Sequence, residues 1–205
     1  MQVAAAAAAG GAGVIQVRSK PISVRDLTAL AIDVAAAVEE ANPATRVLID
    51  DRVDVAAALM GNHNIHGVHI GQDDLDPRLA RRILGEDAII GLTTGTLELV
   101  QGANEYADVI DYIGAGPFRP TPTKNSGRTP LGLDGYPPLV SASAVPVVAI
   151  GDVQATDAEA LAQTGVAGVA IVRAFMDSDD QAALATTVVD AFDRADKNAA
   201  TGSHA

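Results

Sequence analysis

Short runs of β-branched and aliphatic residues alternate with longer Ala- and Leu-rich stretches of helical period along the whole chain, and this alternation restricts the fold more than any other feature. It is the pattern of α/β units around a parallel sheet, because two parallel strands need a helix-length crossover between them. Seven strands are predicted: Val14 to Val17, Val47 to Ile49, Gly67 to Ile70, Ala88 to Gly91, Val109 to Ile113, Val145 to Ile150 and Val169 to Val172. They are apolar almost throughout, which calls for cover on both faces. Helices are expected at Gln2 to Ala9, Val24 to Glu40, Asp54 to Met60, Pro77 to Leu84, Thr96 to Glu105, Pro137 to Ser143, Ala158 to Gln163 and Gln181 to Lys197. The clearest is Val24 to Glu40, with Ser23 as N-cap, Asp26 in its first turn, and Leu27, Leu30, Ala31, Val34 and Val38 on one face.

Seven or eight such units in about 200 residues point to a compact α/β (β/α)8 TIM-type barrel. No strand precedes the helix at Gln2, so the first position of the barrel is expected to be missing. A doubly wound open sheet is the competing fold. Against it, no GxGxxG follows the first strand, polar residues gather after the C-terminal ends of many strands, and a Gly-rich segment follows the seventh-strand position. Residues 1–197 are expected to form one domain, with 198–205 a disordered tail.

Charge narrows the partners. With 14 Lys plus Arg against 26 Asp plus Glu the net charge is −12, which opposes binding to nucleic acid or to anionic lipid. The absence of Cys excludes disulfides, thiolate metal sites and thiol nucleophiles. The start MQVAAAAAAGGAGV lacks the basic and Leu-rich regions of a secretory signal, and no uninterrupted apolar run is long enough for a membrane span, so the cytoplasm is the expected compartment. A homo-oligomer is compatible with the sequence, which does not specify one.

The residues that carry chemistry follow the strands. In VIQVRSK, Gln16, Arg18 and Lys20 alternate and share one face, where two cations in a barrel mouth call for an anion; a charged strand end reaching solvent is the plainer alternative. Acidic clusters follow the next two strands, in VLIDDRVD and GVHIGQDDLDP, and Asp51 and Asp74 are expected to form an oxygen-only pair suited to Mg2+. Asp54 and Asp76 read instead as helix N-caps. The segment Asp111 to Gly132 is too rich in Pro and Gly for helix and reads as a long loop, with Thr121, Thr123 and Lys124 as phosphate donors or as parts of an ordinary surface loop. Gly151 and Arg173 follow the last two strands, where such barrels hold phosphate, although Gly151 also suits a plain turn. A carboxylate at Asp152 is expected to repel an anion there. His63, His66 and His204 read as structural or inert and His69 as a packed core residue, and no Ser-His-Asp arrangement can be argued.

Five blocks, VIQVRSK, LIDDRVDVA, GVHIGQDDL, GPFRPTPTK and PVVAIG, occur in the order found in the thiamin phosphate synthase family, and the likeness covers almost the whole chain. The resemblance implies a transferase that joins hydroxymethylpyrimidine diphosphate to thiazole phosphate and releases pyrophosphate with Mg2+ as cofactor. It implies that Gln16 faces the pyrimidine, that Arg18, Lys20 and Lys124 are the catalytic cations holding the diphosphate, and that Asp51 and Asp74 ligate Mg2+. Thr93 and Asp50, which stands where the family has Asn, would face the diphosphate; Thr121, Thr123, Gly151, Val172 and Arg173 would shape the thiazole phosphate site. A related thiazole tautomerase, or a catalytically weak pyrimidine diphosphate-binding homologue, are the alternative readings.

Overall fold

The computed structural model describes residues 1–120 and 127–202, with side chains as far as Asn198. Its frame is a seven-stranded parallel sheet whose spatial order is the chain order: β1 (Val14–Val17), β2 (Arg46–Asp50), β3 (Gly67–Ile70), β4 (Ile89–Thr94), β5 (Tyr112–Ala115), β6 (Val147–Ala149) and β7 (Gly168–Val169). Each strand pairs only with its neighbours in sequence, and helices fill the crossovers, so the sheet curls as a TIM-type barrel with seven strands among the described residues. The open-sheet alternative requires a reversal of strand order, and none occurs.

The helices are α1 (Gln2–Ala9), α2 (Val24–Ala41), α3 (Val53–Leu59), α4 (Pro77–Leu84), α5 (Leu97–Ala103), α6 (Tyr136–Ala142), α7 (Ala158–Ala162), α8 (Arg173–Asp177) and α9 (Gln181–Gly202). Ser23 caps α2 by accepting from the Asp26 backbone N–H at 3.1 Å, and Leu27, Ala31, Val34, Ala35 and Val38 are buried against the sheet. One apolar core runs between sheet and helices, with Val47, Ile49, Val68, Ile70, Ile90 and Ile113 at its centre. No helix among the described residues is long and apolar enough to cross a membrane.

Four local expectations are corrected. The strand expected from Val109 begins at Tyr112; Ile110 is apolar because it is buried below a 3-10 turn, not because it pairs. The strand expected through Val172 stops at Val169, and α8 follows, five residues being too short a helix for a period to show. Asp54 does not cap α3 but pairs with Arg52 on the surface, whereas Asp76 does cap α4, accepting from the N–H groups of Arg78 and Leu79. The last helix runs past Lys197 to Gly202, and residues 203–205, with His204, lie outside the described residues.

Beneath the barrel, Arg81 pins the turn after α4 to the β5 entrance. Its buried guanidinium donates to the carbonyls of Gly85, Glu86, Ala88 and Val109 and pairs with Asp111 at 2.9 Å. Removing it leaves the buried Ala88 carbonyl without its donor and unties the more exposed carbonyls of Gly85, Glu86 and Val109. Arg81→Ala should therefore lower stability by about 1–3 kcal/mol in chemical denaturation, and unchanged stability would contradict this role.

Candidate active site

All seven strands end on the same side, which gathers the polar residues that follow them. Arg18, just beyond β1, pairs through Nε with Asp50 Oδ2 at 3.3 Å, and Lys20 pairs through Nζ with Asp51. Asp51 in turn is in hydrogen-bonding contact with Asp74, whose Oδ2 accepts from the Gly71 N–H at 2.6 Å. Carboxylates from the ends of β2 and β3 thus meet cations from the end of β1, beside a hollow of about 440 Å3 lined by Arg18, Lys20, Ile22, Leu27, Asp50 and Asp51. Asp51 reaches this position with φ 62°, a left-handed backbone that costs a side-chain-bearing residue on the order of 1 kcal/mol.

The charges shape one another. Burial raises the Asp74 carboxyl above its usual range and the neighbouring Asp51 raises it further. Asp51 is buried too, yet the Lys20 ammonium and the hydrogen bond to Asp74 hold it below its usual value, and Lys20 is raised by the same contact. Asp50 is pushed up to about 7 by burial and by Asp51, against the pull of Arg18 and Lys20. Its Oδ1 is buried with no hydrogen-bond partner. Two facing carboxylates, oxygen donors only, form a set that a hard divalent cation would bind and whose repulsion it would relieve. Among the described residues no group of three or more His, Asp or Glu could hold a metal, so the pair would share an ion with substrate oxygens and water, as Mg2+ generally requires.

Deeper in the barrel a second polar layer crosses the strands. Gln16 Nε2 donates to the Tyr112 hydroxyl at 2.8 Å, the hydroxyl lies 2.9 Å from His69 Nδ1, and His69 Nε2 lies 2.8 Å from Thr93 Oγ1. The assignment that gives each atom one role has Tyr112 donating to Nδ1 and a neutral His69 donating from Nε2, so that the Thr93 hydroxyl oxygen accepts that hydrogen bond and keeps its own proton to donate. Gly91, the register partner of both His69 and Tyr112, makes the layer fit: a Cβ there would lie 2.2 Å from the Tyr112 ring and 2.5 Å from His69 Nδ1. His69 is therefore a packed core histidine, as expected, and it also positions Thr93. Tyr112 was not singled out by sequence, because its partners His69 and Gln16 reach it only through the pairing of separate strands.

At the other side of the face, Gly151 follows β6 with φ +90°, and a Cβ there would stand 2.6 Å from Pro117 Cα. Next to it, Asp152 pairs with Arg173, the first residue of α8. These two line a separate hollow of about 540 Å3 together with Gln154, Ala174, Asp177, Ser178 and Leu184, while Val172 is exposed. The structure thus brings Gln16, Arg18, Lys20, Asp50, Asp51, Asp74 and Thr93 to one half of the face, and Gly151, Val172 and Arg173 to the other. Thr121, Thr123 and Lys124 lie outside the described residues; of the residues on either side, Leu131 N–H donates to Pro117 O and Gly132 N–H to Phe118 O.

Fold and face together define a TIM-type barrel enzyme, seven-stranded among the described residues, with its charged groups at the carboxyl ends of the strands. The family model described as thiamine monophosphate synthase matches residues 1–175. Thiamine-phosphate synthase of Corynebacterium jeikeium (strain K411) is 78% identical over 96% of this chain and 90% of its own length, and that of Corynebacterium efficiens is 60% identical over 94% and 88%. A solved structure of thiamine phosphate pyrophosphorylase from Pyrococcus furiosus superposes with a TM-score of 0.81 at 29% identity, covering 95% of this chain and 89% of the other. The chain belongs to the thiamine monophosphate synthase family.

Tyr112→Phe deletes the hydroxyl that Gln16 and His69 share. It should lower stability by about 1–3 kcal/mol, read by denaturant unfolding, and unchanged stability would show that the polar layer is not closed through Tyr112.

Proposed function

We propose that this chain performs the condensation of its family, joining hydroxymethylpyrimidine diphosphate to thiazole phosphate and releasing pyrophosphate, with Asp51 and Asp74 as the Mg2+ ligands. The observation that carries this reading is the meeting of Lys20, Asp51 and Asp74, from three separate strand ends, beside the Arg18 and Asp50 pair. In the reaction the bond between the pyrimidine methylene carbon and the diphosphate oxygen breaks, and its electrons leave with pyrophosphate. The thiazole nitrogen then forms the new bond to that carbon. No nucleophile from the protein is required, which agrees with the lack of Cys and of a serine triad.

The chain's residues would divide the work. Arg18, Lys20 and Lys124 hold the diphosphate and stabilise the charge that develops on it, at positions set before the bond breaks. Bound Mg2+ would supply further neutralisation of the leaving group. Gln16, its amide steadied by Tyr112, faces the pyrimidine. Thr93, kept in place by His69, donates its remaining proton to a diphosphate oxygen. Asp50, with a carboxyl pushed up to about 7 and a buried unpartnered oxygen, stands beside the same group. Thr121, Thr123, Gly151, Val172 and Arg173 orient the thiazole phosphate, and orientation of two bound substrates supplies much of the rate.

All of these residues come from one chain and residues 1–197 act as a single domain, so the partners needed are two small molecules and the ion, whether or not the protein self-associates. A small-molecule reaction and an acidic surface suit the cytoplasm. A two-substrate assay with Mg2+ tests the reading: thiamin phosphate should form, whereas isomerisation of the thiazole alone, or pyrimidine binding without turnover, would overturn it. Lys124→Ala and Asp74→Asn should each raise the barrier by about 3–4 kcal/mol, a loss of two to three orders of magnitude in kcat. Wild-type turnover in either would remove that residue from the scheme.

A further inference from the structure

Among the described residues, Asp51 and Asp152 are the two that bear a side chain at left-handed φ, 62° and 59°. Both follow a strand on the catalytic face, and both pair with a cation. Asp51 is accounted for above; Asp152 is not. Backbone strain of this kind persists only where the surroundings enforce it, and here they do. Arg119 donates to the Asp152 carbonyl at 3.2 Å, and Arg119 is itself clamped by both carboxylate oxygens of Asp157, at 2.6 and 2.5 Å. Gln154 Nε2 lies 3.5 Å from Asp152 Oδ1. So braced, the Asp152 carboxylate is 19% exposed and meets the Arg173 guanidinium, which is 43% exposed and faces the 540 Å3 hollow.

We propose that Asp152 is a built-in counter-anion: its carboxylate occupies the Arg173 guanidinium while the hollow is empty and gives it up to the phosphate of an incoming ligand, so that Asp152 sets the affinity and the release of that ligand. The inference rests on the reading that this half of the face takes the phosphate of the second substrate. A half-exposed ion pair is weak and easily exchanged. A phosphate group offers more oxygens to the guanidinium fork than the single carboxylate oxygen bound now, and forms the stronger, bidentate contact. The carboxylate that has been displaced then remains beside the bound anion and repels it, which keeps binding from becoming so tight that release is slow.

Calorimetric titration with inorganic phosphate tests this directly. Asp152→Asn keeps a residue that tolerates left-handed φ and removes only the charge; it should bind phosphate about tenfold more tightly than the wild type. Arg173→Gln should bind at least tenfold more weakly. Asp152→Gly, suited to the same backbone, should reproduce the gain if Asn disturbs the fold. Phosphate affinity that stays the same or falls in both Asp152 variants would overturn the proposal, because Asp152 would then only position Arg173; undiminished binding by Arg173→Gln would overturn it equally. These are binding readouts: failure to form thiamin phosphate in the two-substrate assay would remove the proposed function and leave a phosphate exchange observed here standing.

Discussion

The site depends on one contact, the Lys20 ammonium set against the Asp51 carboxylate with Asp74 behind it. Neither charge belongs to a regular element. Each lies just past the end of a strand, and they meet because β1, β2 and β3 are parallel, adjacent and held in register, with Gln16 opposite Leu48 and Asp50 opposite His69. An antiparallel arrangement would send alternate strand ends to opposite sides and separate the charges. The sheet topology is therefore the condition for the chemistry, and the strained backbone at Asp51 is the local concession that completes it.

Beneath this charged rim the polar layer from Gln16 to Thr93 changes what the barrel interior can do. An apolar filling would hold the strands equally well. The chain of hydrogen bonds through Tyr112 and His69 also holds the amide of Gln16 and the hydroxyl of Thr93 in place before any ligand arrives. Preorganisation of this kind lowers the cost of ordering the site on binding. Its geometric condition is the missing Cβ of Gly91, without which the His69 and Tyr112 rings could not occupy the same level.

Much of this was legible in the sequence, and the parts that were not have physical reasons. Alternation of apolar runs and helical stretches predicts the parallel barrel, because that pattern reports burial on both sheet faces. The period of two in VIQVRSK predicts that Gln16, Arg18 and Lys20 share a strand face; β1 ends at Val17, so only Gln16 lies on the strand, and Arg18 and Lys20 meet Asp50 and Asp51 from the segment beyond it. Asp76 was readable as a cap because a Pro follows it at the first helical position, whereas Asp54 has no such neighbour and turned out to pair with Arg52. The polar layer was not readable: Tyr112 and His69 are distant in sequence and meet only through the register of β3, β4 and β5. The pairing of Asp152 with Arg173 was missed for the same reason. A lone carboxylate beside a phosphate cup implies repulsion, and only the fold reveals the guanidinium that neutralises it.

The central claim is that opposite charges from separate strand ends form a seat for a diphosphate carried with a divalent cation. Calorimetric binding of pyrophosphate, with and without Mg2+, is its most direct test. The account predicts binding that strengthens by at least tenfold when Mg2+ is present and loses that dependence in Asp51→Asn. Pyrophosphate binding that is indifferent to Mg2+ in the unmodified protein would contradict it.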